Sequence, residues 1–234
     1  MDTGAPLAIM DADFLASMRT GAAGAIASKY LARENSRSIA FIGAGHLARN
    51  MLDAHIAFGF PIDRVKVWSR SSLVREEFAK KVSEKYRILG VPTETPREAV
   101  IGADIICCCS PSTEPRVLLD DLSPGVHINA FGADSPEKQE LAPEVLTKCK
   151  IVVDSLEQCS IGGEIHKALE AGIITTKDIY AEIGEIVLGE KQGRTSPKEI
   201  TLMDATGLAI QDLVIFYHAY KLALEKGIGN WIEL

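Results

Sequence analysis

Short, largely apolar runs alternate with longer stretches in which apolar residues recur every three or four positions, and the alternation is regular over residues 36–155. The short runs fall at 39–42, 64–68, 104–109, 126–130 and 151–154, and the first is apolar at every position, as a parallel strand covered on both faces requires. Helix-forming segments lie between them, at 47–58 and, more briefly, at 96–101. Strands alternating with helices predict an α/β fold built on a doubly wound parallel sheet, with 151–154 closing it. Outside this block the pattern changes. Residues 6–10 read as a short strand, and 11–33 as an Ala-rich helix with Asp11 or Asp13 near its start. Beyond about residue 160 the alternation fades, Gly162, Gly163, Gly184 and Gly189 punctuate the chain, and a long helix is predicted over 207–225. Leu208, Ile210, Leu213, Val214, Tyr217, Ala219 and Leu222 make that helix too apolar to face water alone. Segments 1–35 and 156–234 are each too small for a separate core, so they are expected to pack together as a smaller unit into which the 36–155 domain is inserted. A cleft between the two units is the expected ligand site.

Composition narrows the classes. The 234 residues are 47% apolar, and 25 basic against 32 acidic residues give a net charge of −7. With no Lys/Arg cluster, nucleic acid and anionic membrane are excluded as expected partners. No apolar run approaches the ~20 residues needed to cross a bilayer. Met1-Asp2-Thr3-Gly4 has no basic and apolar leader pattern, and a cytoplasmic location is expected. Cys107, Cys108 and Cys109 sit in a strand, where neighbours point to opposite faces, so the thiols cannot converge on a metal. Cys149 and Cys159 stand alone, no His pair has ligand spacing, and neither a metal nor a nucleophile elbow is expected.

The first strand runs into Gly43-Ala44-Gly45-His46-Leu47-Ala48 and then a helix. In such a turn Gly43 permits the tight bend, Gly45 lets backbone N–H groups approach a pyrophosphate, and Ala48 allows close helix–strand packing. The unpaired N–H groups of the following helix then face the anion. This predicts a Rossmann-type dinucleotide site. After the second strand, Ser69, Arg70 and Ser71 stand where an NAD-preferring site places an acid. Asp63 has roughly the right spacing but precedes the strand, at the wrong end of the sheet. Arg70 can pair with a 2′-phosphate and Ser69 and Ser71 can donate to it, so NADP(H) is expected over NAD(H). The alternative is that Arg70 is an ordinary solvated residue at a helix start.

The fifth strand leads into Gly132-Ala133-Asp134-Ser135-Pro136-Glu137-Lys138-Gln139-Glu140-Leu141. Asp134 is a carboxylate before an expected Pro-started helix, placed to exchange a proton with a substrate amine, and Lys138 one turn on can reach an anion. A helix-capping Asp and a solvated Lys are the alternative.

This loop, together with 18–24, the glycine turn, Gly162-Gly163-Glu164-Ile165, Ile183-Gly184-Glu185 and 204–212, resembles the ornithine cyclodeaminase/mu-crystallin family, most closely its archaeal alanine dehydrogenase branch. The resemblance implies a pyridine-nucleotide enzyme acting on amino acids or their imines. Asp134 matches the catalytic aspartate, and Arg19 and Lys138 match groups near the substrate. Implied cofactor contacts are Arg19, Thr20, Gly43, Gly45, His46, Leu47, Ser69, Arg70, Ser71, Cys109, Ser110, Ile128, Asn129, Ala130, Phe131, Lys138 and Thr206. Mu-crystallin-like members also lack the acid after the second strand and take NADPH, whereas alanine dehydrogenase relatives more often carry Asp there. Members of the family have a further segment before the point matching Met1, which supplies a Lys and an Arg for the substrate carboxylate and part of a dimer sheet. On that basis the smaller α+β substrate and dimerisation unit is expected to be incomplete, with Arg19 the one obvious carboxylate partner and weak or absent activity. The expected reaction is reversible oxidative deamination of a small L-amino acid, L-alanine first, by a homodimer taking a small amino or keto acid. Ornithine cyclisation, ketimine reduction and non-enzymatic NADP(H) binding are the alternatives.

Overall fold

The computed structural model describes residues 6–230 and 232. Its eight strands are β1 (Ser38–Ile42), β2 (Arg64–Trp68), β3 (Leu89–Pro92), β4 (Ile105–Cys108), β5 (His127–Ala130), β6 (Cys149–Val153), β7 (Ile179–Glu182) and β8 (Ile200–Asp204). They form one parallel sheet in the order β3-β2-β1-β4-β5-β8-β6-β7. Alternating side chains feed two cores, one on each face. Ile39, Phe41 and Cys107 enter one with Leu31, Met51 and Phe78, while Ala40, Ile42 and Cys108 enter the other with Leu141, Val145 and Ile165. The adjacent thiols of Cys107 and Cys108 thus face opposite ways, and burial pushes that of Cys107 up to about 12.

The helices that matter for the site are α1 (Asp13–Leu31), α2 (His46–Ala57) and α3 (Ser72–Tyr86), followed by the short α4 (Pro96–Val100) and α5 (Pro143–Leu146). After these come α6 (Leu156–Gly162), α7 (His166–Glu170), α8 (Ile183–Val187) and the long α9 (Ala209–Lys226). Two glycines let α1 approach α2: a Cβ on Gly21 would lie 2.6 Å from the Asn50 carbonyl oxygen, and one on Gly24 2.8 Å from the Met51 methyl. In turn α9 packs on α1. None of its residues is buried. Within the described residues no helix is long and apolar enough to cross a membrane.

The structure departs from the sequence expectations in three places. Residues 6–10 are not a strand; they pair with none of the eight, and Ile9 is 88% exposed, because an apolar pentapeptide without a ladder partner leaves its backbone groups to water. Beyond residue 155 the sheet continues: β8 inserts between β5 and β6, and β7 forms the edge beyond β6. Both strands are four or five residues long and carry polar positions such as Thr201 and Glu182, so neither stands out as an apolar run. Finally, Pro136 starts a turn and not a helix. The N–H groups that a helix would use are taken elsewhere, that of Gln139 by the Ser112 carbonyl and that of Glu140 by the Glu164 carboxylate.

Candidate active site

The strand order reverses between β1 and β4, and the C-terminal ends of these two strands open a crevice, the usual ligand position in such sheets. Gly43 takes φ 109°, a conformation closed to side chains, and a Cβ there would lie 2.6 Å from the Cys109 carbonyl oxygen. Gly45 differs, since a Cβ added there meets nothing within 4 Å. The space in front of it is open. No side chain caps the helix that follows, so the first-turn N–H groups of α2 point into that space.

The crevice measures about 380 Å³ and is lined by the glycine turn, Ser69, Arg70, Ser71, Cys109 and Ser110, all expected from the sequence, and by Trp68, Val74, Pro111, Ser112, Thr113 and Arg116, which were not. None of the lining residues is acidic. The Arg116 guanidinium lies 5.7 Å from the Trp68 ring centre and donates to Ser112 Oγ at 3.1 Å. Arg75, buried behind the wall, donates to the Ser69 carbonyl at 3.2 Å and to the Glu94 carboxylate, and so holds the 69–71 turn. Arg116 lies in the loop that follows β4, outside the motifs that the sequence offers.

Beside the crevice, though not among its lining residues, runs the loop after β5. A Cβ on Gly132 would overlap Glu140 Oε2 and the Ser110 carbonyl oxygen, so only glycine brings the two loops together. Asp134 on this loop is 58% exposed and accepts from Lys138 Nζ at 2.5 Å. Gly162, at the end of α6, backs this loop closely: its Cβ would lie 3.3 Å from Ser135 Cα.

Beneath that loop runs a chain of buried carboxylates, each accepting from the segment that carries the previous one. Glu140 accepts from Ser110 N–H at 3.0 Å and Ser110 O–H at 2.6 Å. Glu164 accepts from the Glu140 and Leu141 N–H groups at 3.0 and 2.6 Å. Asp204 accepts from the Glu164 and Ile165 N–H groups at 3.0 and 3.1 Å, and Asp154 from Gly207 N–H at 2.7 Å. Burial holds Glu140 well above the ordinary carboxylate range and lifts Glu164 to about 8 and Asp204 to about 7, against the pull of those N–H donors. Five loops at one edge of the sheet are thereby tied to one another. Sequence reasoning gave these acids no catalytic role, and their partners lie 24 to 53 residues away.

The remaining expected residues are placed unevenly. Arg19 reaches the start of α9, with Nε donating to Asp212 at 2.9 Å and one terminal nitrogen to Gln211 at 3.0 Å. Thr206 donates to Gln158 at 3.2 Å, while the Thr20 hydroxyl turns back to the Ala16 carbonyl at 2.8 Å. His46 is exposed and Leu47 half-buried at the head of α2. The Asn129 side chain is directed away from the crevice, donating to Ser28 Oγ at 2.8 Å with His127 Nε2 3.1 Å from its oxygen. Ile128, Ala130 and Phe131 are likewise core residues, and none of the three lines the crevice. His127 and His55 belong to the same buried network as Asn129, and burial lowers them to about 3 and about 4.

A parallel sheet with this switch point, an uncapped helix after a glycine turn, and open space before Gly45 define a dinucleotide-binding α/β protein. The model of the ornithine cyclodeaminase/mu-crystallin family matches residues 1–227, and the chain belongs to that family. It is 46% identical over 233 residues to an alanine dehydrogenase of Archaeoglobus fulgidus, covering 99% of this chain and 71% of that protein. Among solved structures it is similar to an archaeal alanine dehydrogenase dimer with bound NAD, with a TM-score of 0.94 and 44% identity over 100% of this chain and 72% of the other. A Δ1-pyrroline-2-carboxylate reductase of Thermococcus litoralis, in complex with NADH and L-proline, also gives a TM-score of 0.94, at 38% identity over 98% of this chain and 71% of that one.

Proposed function

We propose that this chain is a nicotinamide-dependent oxidoreductase acting at the carbon–nitrogen bond of a small L-amino acid, with reversible oxidative deamination of L-alanine the first candidate. The observation that carries the reading is the Asp134 carboxylate, held on a braced loop at the same sheet edge as the glycine turn. A bound nicotinamide dinucleotide would take up or return the hydride at the substrate's α-carbon. Asp134 would accept the proton released from the substrate ammonium or from the attacking water, and return it in the reverse direction. Lys138 keeps that carboxylate oriented. Arg19 has two of its five N–H groups in use, so the others can take a substrate carboxylate.

The adenosine end supports a preference for NADP(H) over NAD(H). Arg70, Arg116, Ser69 and Ser71 line it without an acid, and a 2′-phosphate suits such a set. The solved relatives described above hold NAD and NADH, so the preference rests on these residues alone. Replacing Arg70 by Ala should weaken NADPH binding ~10- to 100-fold, the worth of one charge-assisted hydrogen bond, and leave NADH unchanged. Equal affinities for both dinucleotides in the unaltered chain would end this preference.

A second reading, reduction of a cyclic ketimine such as Δ1-pyrroline-2-carboxylate, is favoured by the equal structural similarity to the reductase. NADPH or NADH oxidation with pyruvate and ammonia, compared with the cyclic imine, separates the two. In either case Asp134→Asn should cost ~100- to 10,000-fold in turnover while the dinucleotide still binds. Full activity in that variant would remove Asp134 from the chemistry. Tight dinucleotide binding with no turnover on any amino acid or imine would favour a carrier. The exposed apolar face of α9, and the dimeric state of the archaeal relative, support a homodimer.

A further inference from the structure

We propose a second ligand site, for a small carboxylate with an apolar body, in a cleft between the start of α1 and the outer faces of α2 and α3. The cleft measures about 340 Å³, within the range of ~300–1,000 Å³ typical of small-molecule sites, and shares no residue with the dinucleotide crevice. Its floor is apolar, made by Leu52, Phe78 and Val82, with Phe14 forming an exposed flap above it.

Two wall atoms point to the ligand's polar end. Arg49 Nε and the Tyr86 hydroxyl are both buried and have no hydrogen-bond partner among the described residues. An orphaned buried donor is costly, and other residues of the same walls have partners: Asn50 donates to Ser17 at 2.8 Å, and Lys85 pairs with Asp53 at 3.0 Å. Both orphans are satisfied by an acceptor. Lys81 pairs with Glu77 and Lys85 with Asp53, which leaves Arg49 among the lining cations to favour an anionic acceptor. A guanidinium edge and a phenol hydroxyl together suit a carboxylate, and the floor requires that it carry hydrocarbon.

The test is calorimetric titration of the chain, without dinucleotide, with hexanoate and with hexan-1-ol at fixed ionic strength. Hexanoate should bind at least ~10-fold more tightly than the alcohol, with Arg49→Met weakening it ~10-fold or more and Tyr86→Phe by a smaller factor. Arg19→Met, which alters the proposed substrate position, should leave hexanoate affinity unchanged. No hexanoate binding, equal binding of acid and alcohol, loss on Arg19→Met, or indifference to both cleft variants would overturn the proposal. None of these readings requires turnover.

Discussion

Glu164 is ionisable, only 1% exposed and enclosed by backbone, and its protonation is therefore linked to folding. Burial raises it from 4.5 to about 8 and its neighbour Asp204 from 3.8 to about 7, so the folded state binds protons that the unfolded chain has released. Their contribution to stability is complete below the unfolded values and is lost as pH rises through the folded ones. The stability of the unaltered protein relative to Glu164→Gln should therefore fall, by on the order of a few kcal/mol, between about pH 5 and about pH 9. Urea unfolding across that interval reads it, and parallel profiles for the two proteins would show that Glu164 is ionised throughout. The residue was visible in the sequence only as part of Gly162-Gly163-Glu164-Ile165. Asp134 and Lys138 were easier, because four residues separate them and local spacing is enough to bring them together. The partners of Glu164 come from the loop after β5 and the end of β8, and no local pattern encodes that meeting.

At the scale of elements, β1 and β4 were legible because a central parallel strand is buried on both faces and reads as an apolar run, whereas β2 and β5 carry polar residues and were read from their place in the alternation. The glycine turn was legible for the same kind of reason, since Gly43 has a conformation that side chains rarely adopt. The strands β7 and β8 were not, being short, partly polar and far in sequence from their neighbours. The packing of α1 on α2 lies between these cases: Gly21 and Gly24 read as weak points in an Ala-rich helix until the second helix is in place. A methyl at Gly21 meets the α2 backbone, which cannot yield as a side chain end would. Gly21→Ala should therefore destabilise by ~1–3 kcal/mol despite its better helix propensity. For a chain of this size that lowers the melting temperature by about 2–4 °C per kcal/mol. A melting temperature equal to or above that of the unaltered protein would mean that the two helices separate freely. It would also weaken the case that α1 carries Arg19 in a fixed position.

At the scale of the whole molecule, the apolar face predicted for the last helix exists and is uncovered: Leu213 is 62% and Val214 63% exposed, with Ile210 and Tyr217 beside them. Scattered exposed apolar residues are ordinary, but a helix with this many along its length and none buried marks an interaction surface. Arg19 leans on the first turn of this helix through Asp212 and Gln211, so whatever covers α9 also steadies the group proposed to hold the substrate. For the proposed homodimer, sedimentation should show association at micromolar concentration, and Leu213→Glu with Val214→Lys should shift the protein to monomer with its near-ultraviolet dichroism retained. Neither residue is buried, so the pair of changes should cost the fold little. If the variant also loses affinity for an amino-acid carboxylate while keeping its dinucleotide, the start of α9 is where assembly and substrate binding meet. An unaltered chain that stays monomeric would instead separate the apolar face from self-association and leave it to a different partner.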